Sequence, residues 1–99
     1  MTVQVLVVDD TKRIRNSIKD YFDKEFFHIV GEAEDGYQAL AEYRKHRPDI
    51  VTMDMNMPGC NGVEAIKLIL DEDPNAYIII ISSMDDEIVK GLEAGARAC

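Results

Sequence analysis

Three apolar runs in this chain each finish in a carboxylate or a hydroxyl: Val3–Val8 runs into Asp9-Asp10, Ile50–Met53 into Asp54, and Tyr77–Ile81 into Ser82-Ser83. Helix-period segments lie between and beyond them. Ile14, Ile18, Tyr21 and Phe22 mark an amphipathic helix over about Thr11–Asp23, and Ala39, Leu40 and Tyr43 mark one that ends near His46, ahead of Pro48. Val63, Ile66, Ile69 and Leu70 mark one closed by Pro74, and Ile88, Val89 and Leu92 one that ends near Gly95. His28–Ala33 is a further short strand, and Asp35-Gly36 is turn chemistry. Strands alternating with helices predict an α/β domain over residues 1–99, a doubly wound parallel sheet with right-handed crossovers.

In such sheets ligands bind outside the carboxyl ends of the strands, where the strand order reverses. Asp9, Asp10, Asp54 and Ser82 all fall at carboxyl ends. With the first, third and fourth strands as neighbours, about 4.8 Å apart, their tips share one pocket. Three carboxylates held together repel one another unless a cation joins them. The net charge of −8 points the same way and argues against unaided binding to nucleic acid or an anionic membrane. The longest apolar run, Ala76–Ile81, is far too short to cross a bilayer, and no signal peptide is expected. Cys60 and Cys99 have no metal-type spacing and read as free thiols.

Each feature alone has a plainer reading. Asp10 fits a cap for the following helix, and Asp54 fits a turn. Ser83-Met84-Asp85-Asp86 matches a capping pattern, which makes Ser83 the better cap and leaves Ser82 freer for a ligand. Met53, Met55 and Met57 suit packing, His28 and His46 pair with no obvious nucleophile, and Arg44, Lys45 and Arg47 suit a solvated helix end.

The joint pattern is far more specific. Val7-Val8-Asp9-Asp10, Asp35-Gly36-Tyr37-Gln38-Ala39-Leu40, Asp49–Gly62 with its Met53-Asp54-Met55-Asn56-Met57-Pro58, Ile80-Ile81-Ser82-Ser83 and Gly91–Ala96 follow in order. Together they resemble the receiver domain of two-component response regulators, from Val3 to the last residue. The resemblance implies a flavodoxin-like receiver fold and makes Asp54 the phosphoacceptor, phosphorylated by a histidine kinase or phosphotransfer protein. It implies Mg2+ held by Asp10 directly, Asp9 through water, Asp54, and the backbone carbonyl of Asn56. Ser82 matches the switch hydroxyl, Met57-Pro58 and Gly62 shape the loop beside Asp54, and Asn56 and Met84 match positions that tune dephosphorylation. The domain so implied is cytoplasmic and is not an enzyme beyond its own phosphorylation and dephosphorylation.

The resemblance also implies a fifth strand and fifth helix. The chain reaches Gly95-Ala96-Arg97-Ala98-Cys99 where that strand begins, so it reads as a C-terminally truncated receiver without the family's lysine and aromatic switch residue. The expectation is an exposed apolar edge at strand 77–81 and an uncovered core. Exposing about 400 Å² of apolar surface costs roughly 10 kcal/mol. A homodimer, a domain-swapped oligomer or a partly molten form is therefore expected. A competing reading is a receiver fold kept as a non-phosphorylated interaction or assembly module, which has no need of Mg2+. An Mg2+-dependent phosphatase with an aspartyl nucleophile needs Asp-x-Asp after its first strand, whereas Thr11-Lys12 follow Asp9-Asp10 here.

Overall fold

Valine, isoleucine and leucine supply most of the strands β1 (Val3–Val8), β2 (Phe27–Ala33), β3 (Ile50–Asp54) and β4 (Ile78–Ile81), the residue types that suit a pleated buried surface. Helices α1 (Lys12–Tyr21), α2 (Gly36–His46), α3 (Gly62–Glu72) and α4 (Asp85–Ala94) follow them in turn. The computed structural model describes residues 1–99. All strand pairs are parallel, in the order β2-β1-β3-β4, as the alternating pattern predicts. The order reverses between β1 and β3, so the crevice expected for a ligand opens where Asp9 and Asp54 emerge. No helix is long and apolar enough to cross a membrane.

Strand periodicity divides the sheet into two faces. Leu6, Val8, Val51, Met53, Ile78 and Ile80 face one way and form the main core with Ala39, Tyr43, Ala65, Ile66 and Ile69 of α2 and α3. Asp35 caps α2 by accepting from the Gln38 N–H at 2.9 Å, and Asn61 caps α3 by accepting from the Glu64 N–H at 3.0 Å. Pairing of Val7 with Thr52, and of Thr52 with Ile79, lays out the opposite face. Here Val5 and Val7 are fully buried, with α1 packed on β1.

On this second face the expected apolar stripe of α1 is only partly covered. Tyr21 is 88% exposed and Ile14 37%, and the buried residue of the helix is Arg15. A stripe about 100° wide needs neighbours on both sides, and α1 leans chiefly on β1. Arg15 is held by polar partners. Its Nε donates to Glu32 at 2.9 Å and its Nη1 to the Asp9 carbonyl at 2.8 Å, while Lys19 donates to the other Glu32 oxygen at 2.9 Å. Arg15→Ala is expected to cost about 2 kcal/mol in chemical denaturation, because it strips the partner from the Asp9 carbonyl while Lys19 still serves Glu32.

The bare edge expected at 77–81 is corrected by the chain's last residues. Gly95 adopts φ 118°, a left-handed conformation suited to glycine, and the backbone turns back along β4. The Arg97 N–H donates to the Ile78 carbonyl at 2.9 Å, and the Ile80 N–H donates to the Ala98 carbonyl at 2.8 Å. Ile79 thereby bridges Ala98 in parallel. The hydrogen-bonding template over Ile78–Ile80 is already in use, and the four strands form one parallel sheet.

Candidate functional site

The three carboxylates predicted to meet do meet. Asp9, Asp10 and Asp54 each offer an oxygen, and these atoms lie within 4.8 Å of one another. Asp9 and Asp10 leave the end of β1, and Asp54 is the last residue of β3. Asp9 is buried, Asp54 half-buried and Asp10 exposed. The cluster forms because Val8 pairs with Met53 in register, which brings the two strand ends level.

Local hydrogen bonds orient the acids. Asp9 Oδ1 accepts from the Thr11 N–H at 2.9 Å, and Asp54 Oδ1 accepts from the Asn56 N–H at 3.1 Å. The cap residue of α1 is Thr11, with no side-chain cap bond, so the capping reading of Asp10 does not hold, and Asp9 makes the local turn instead. Below Asp54, the buried side chains of Met55 and Met57 anchor the loop to the core, and the Gly62 N–H donates to the Met55 carbonyl at 3.3 Å. Thr52, two residues before Asp54 on the same face, keeps its hydroxyl buried without a partner.

Burial pushes the Asp54 carboxyl up to about 6, against the Asn56 N–H that favours its charged form, with Asp9 and Asp10 adding repulsion. The Asp9 carboxyl is also raised, again chiefly by burial, while the Thr11 N–H opposes the shift. A raised carboxyl favours folding most when protonated. Its contribution is full below the ordinary value of 3.8 and is lost as pH climbs through about 6. With divalent cations chelated, the melting temperature is therefore expected to fall between about pH 4 and pH 7, and Mg2+ is expected to flatten that slope. Equal slopes with and without Mg2+ in a pH series of thermal melts would count against cation binding here.

The donor set fits a hard cation. It offers only oxygen, its charges lie close enough to repel, and its Asp9 and Asp54 carboxyls stay raised by burial although Arg15 pulls Asp9 the other way. Few protein carboxylates with room for water suit Mg2+ better than Ca2+, which takes more ligands.

Asp9, Asp54, Asn56 and Ser82 line one open cleft of about 500 Å³, so four of the five residues singled out in the sequence share a cavity and Asp10 joins through the cluster. A second cleft of about 580 Å³ lies elsewhere, between Phe22, Phe27 and the lysines Lys19 and Lys24. It holds none of the three clustered carboxylates.

The structure departs from expectation at the serines. Ser83 caps nothing: the cap residue of α4 is Met84, with no side-chain cap bond. Ser82 makes the local bonds: its Oγ accepts from the Met84 N–H at 3.1 Å and donates to Glu87 Oε1 at 2.6 Å. Glu87 also lines the cleft and was missed in the sequence, as was Arg15 behind Asp9. The available signal for Glu87 was its place three residues after the cap position, where an acid reaches back to the helix start. Arg15 carried no such signal.

Comparison with known proteins agrees with this geometry. The response regulator receiver domain family matches residues 5–99. The chain is 42% identical over 99 residues to the chemotaxis protein CheY of Thermotoga maritima, covering 98% of this chain and 82% of that protein. Against CheY of Bacillus subtilis identity is 41%, with the same coverage. Among solved structures, a CheX–CheY–BeF3–Mg2+ complex from Borrelia burgdorferi superposes with a TM-score of 0.88 at 33% identity, over 96% of this chain and 74% of that one. A LuxR-family response regulator from Aurantimonas superposes with a TM-score of 0.89 at 33% identity, over 99% of this chain and 72% of that one.

Proposed function

The chain belongs to the response regulator receiver domain family, and on that premise we propose that Asp54 is its phosphoacceptor, with Asp9, Asp10, Asp54 and the Asn56 carbonyl as the protein's share of an Mg2+ site. The carrying observation is the meeting of three carboxylates within 4.8 Å at the strand tips. Ser82 stands in the same cleft.

The donor is a phosphohistidine on a histidine kinase or phosphotransfer protein. An Asp54 oxygen attacks phosphorus, the O–P bond forms as the P–N bond breaks, and the imidazole leaves with the electron pair. Bound Mg2+ supplies charge neutralisation between the acids and the incoming phosphoryl group. The Asn56 N–H at 3.1 Å holds one Asp54 oxygen and leaves the other for attack. Asp9 is fixed in turn by Thr11 and, through its carbonyl, by Arg15. On this reading the Ser82 hydroxyl, in the same cleft, leaves Glu87 and donates to a phosphoryl oxygen once transfer is complete.

The domain acts as a signalling component rather than a turnover enzyme, in the cytoplasm with its donor, and any nucleic-acid contact falls to another domain, since its own charge is −8. Intact-mass spectrometry with Mg2+ and a small-molecule phosphodonor such as acetyl phosphate tests the reading. The expected result is one phosphoryl mass gain that disappears on chelation. A folded protein that shows no gain under any donor would leave the interaction-module reading in its place.

A further inference from the structure

Ser82 has one hydroxyl proton, and Glu87 already holds it. Ser82 Oγ donates to Glu87 Oε1 at 2.6 Å, in the range of a charge-assisted hydrogen bond. The same Oγ accepts from the Met84 N–H at 3.1 Å. Met84 is the cap residue of α4, and Glu87 is its third helical residue. In an ordinary capping box an acid at this position accepts directly from the cap N–H. Here the serine hydroxyl is inserted between them, so the chain runs Met84 N–H to Ser82 Oγ to Glu87 carboxylate. Both Ser82 and Glu87 are only partly buried and both border the cleft that holds Asp54, so the relay faces the reacting group.

We propose that Glu87 is a positioning residue that latches Ser82 away from the acceptor by competing for its hydroxyl proton. This rests on the reading of Asp54 as phosphoacceptor. A phosphoryl group on Asp54 and the Glu87 carboxylate compete for the same proton, and only one can have it. When Ser82 turns to the phosphoryl group, the relay opens. The Met84 N–H loses its acceptor, and Glu87, freed of the serine, is placed to take that N–H directly. Helix α4 thus exchanges one cap for another. The competition sets how much of the phosphoryl group's attraction for Ser82 survives as net switching free energy.

Beryllofluoride with Mg2+, a phosphoryl mimic on aspartate, tests this by titration calorimetry on wild type, Glu87→Ala, Ser82→Ala and the double variant, with circular dichroism confirming the fold. Removing the latch is expected to tighten beryllofluoride binding roughly tenfold, the worth of one hydrogen bond to a charged group. Glu87→Gln keeps the shape with a neutral, weaker acceptor, so it is expected to tighten binding by about threefold, and it stands in if the alanine variant is unstable. In the Ser82→Ala background the Glu87 substitution is expected to change binding less than about twofold, because no proton remains to contest. In wild type, the Met84 amide resonance is expected to move on binding. Tightening of equal size with and without Ser82 would mean simple charge repulsion and would overturn the latch. So would unchanged or weakened binding in both Glu87 variants. Absence of binding to folded wild type would instead overturn the acceptor reading, and the latch with it.

Discussion

Asp54→Asn is expected to abolish Mg2+-dependent phosphoryl gain completely while leaving the protein folded and more stable. The amide oxygen is a poor nucleophile and carries no charge for a cation to pair with. Loss of the charge also relieves strain in the metal-free fold. The Asp54 carboxyl is pushed up to about 6 by burial and by Asp9 and Asp10, so its ionised form at neutral pH is destabilising. For a half-exposed group, solvent screening leaves a relief of about 1 kcal/mol, measurable in urea at pH 7 with divalent ions chelated. The same comparison at pH 4 is expected to show little difference, because the wild-type carboxyl is then largely protonated. Two readouts moving in opposite directions separate a site residue from a structural one. A variant that loses stability together with phosphoryl gain would place Asp54 in the scaffold instead.

Gly62→Ala is expected to have the largest effect on stability, for reasons that begin at the same strand tip. Gly62 opens α3 directly beneath Asp54. A Cβ there meets the Asp54 carbonyl at 2.5 Å and the Met55 Cα at 2.6 Å. Both are backbone atoms, so neither can swing aside as a side chain would. The loop from Asp54 to Gly62 must shift, against Met55 and Met57 already packed in the core. Overpacking of this kind costs about 3 kcal/mol, a large share of a small domain's stability. Urea denaturation is expected to show that loss, and the rate of phosphoryl gain is expected to fall with it, because the displaced carbonyl belongs to the proposed acceptor, Asp54. Gly59→Ala offers the contrast: its Cβ meets nothing within 4 Å, so its cost is confined to the backbone strain of φ 79°.

Element types were legible because the apolar periods are clean. β1 matches its expected bounds, β2 and β3 each extend by one residue, and α4 ends at Ala94 beside Gly95. The α1 stripe misled, since a stripe in sequence says which side is apolar and not whether anything covers it. The serines misled for a related reason. Ser83 fits a cap by spacing, but it is the Ser82 Oγ that accepts from the Met84 N–H at the helix start. At β4, the sequence showed an apolar run near its end. That residues 97 and 98 fold back onto that strand depends on the left-handed turn at Gly95 and on contacts across the sheet.

Residue order alone was enough for the carboxyl-end acids and for a parallel sheet, because periods of two and 3.6 residues are local properties of the backbone. The order of motifs along the chain was likewise enough to suggest the family. Distance and burial were not local. That Asp9, Asp10 and Asp54 come within 4.8 Å follows from β1 pairing with β3, a contact between segments far apart in sequence. The raised Asp54 carboxyl follows from burial that only the packed sheet and loop create. The claim of Glu87 on the Ser82 proton follows from the fold setting its carboxylate 2.6 Å from the Ser82 Oγ, because a hydroxyl turns its proton to suit the acceptor within reach.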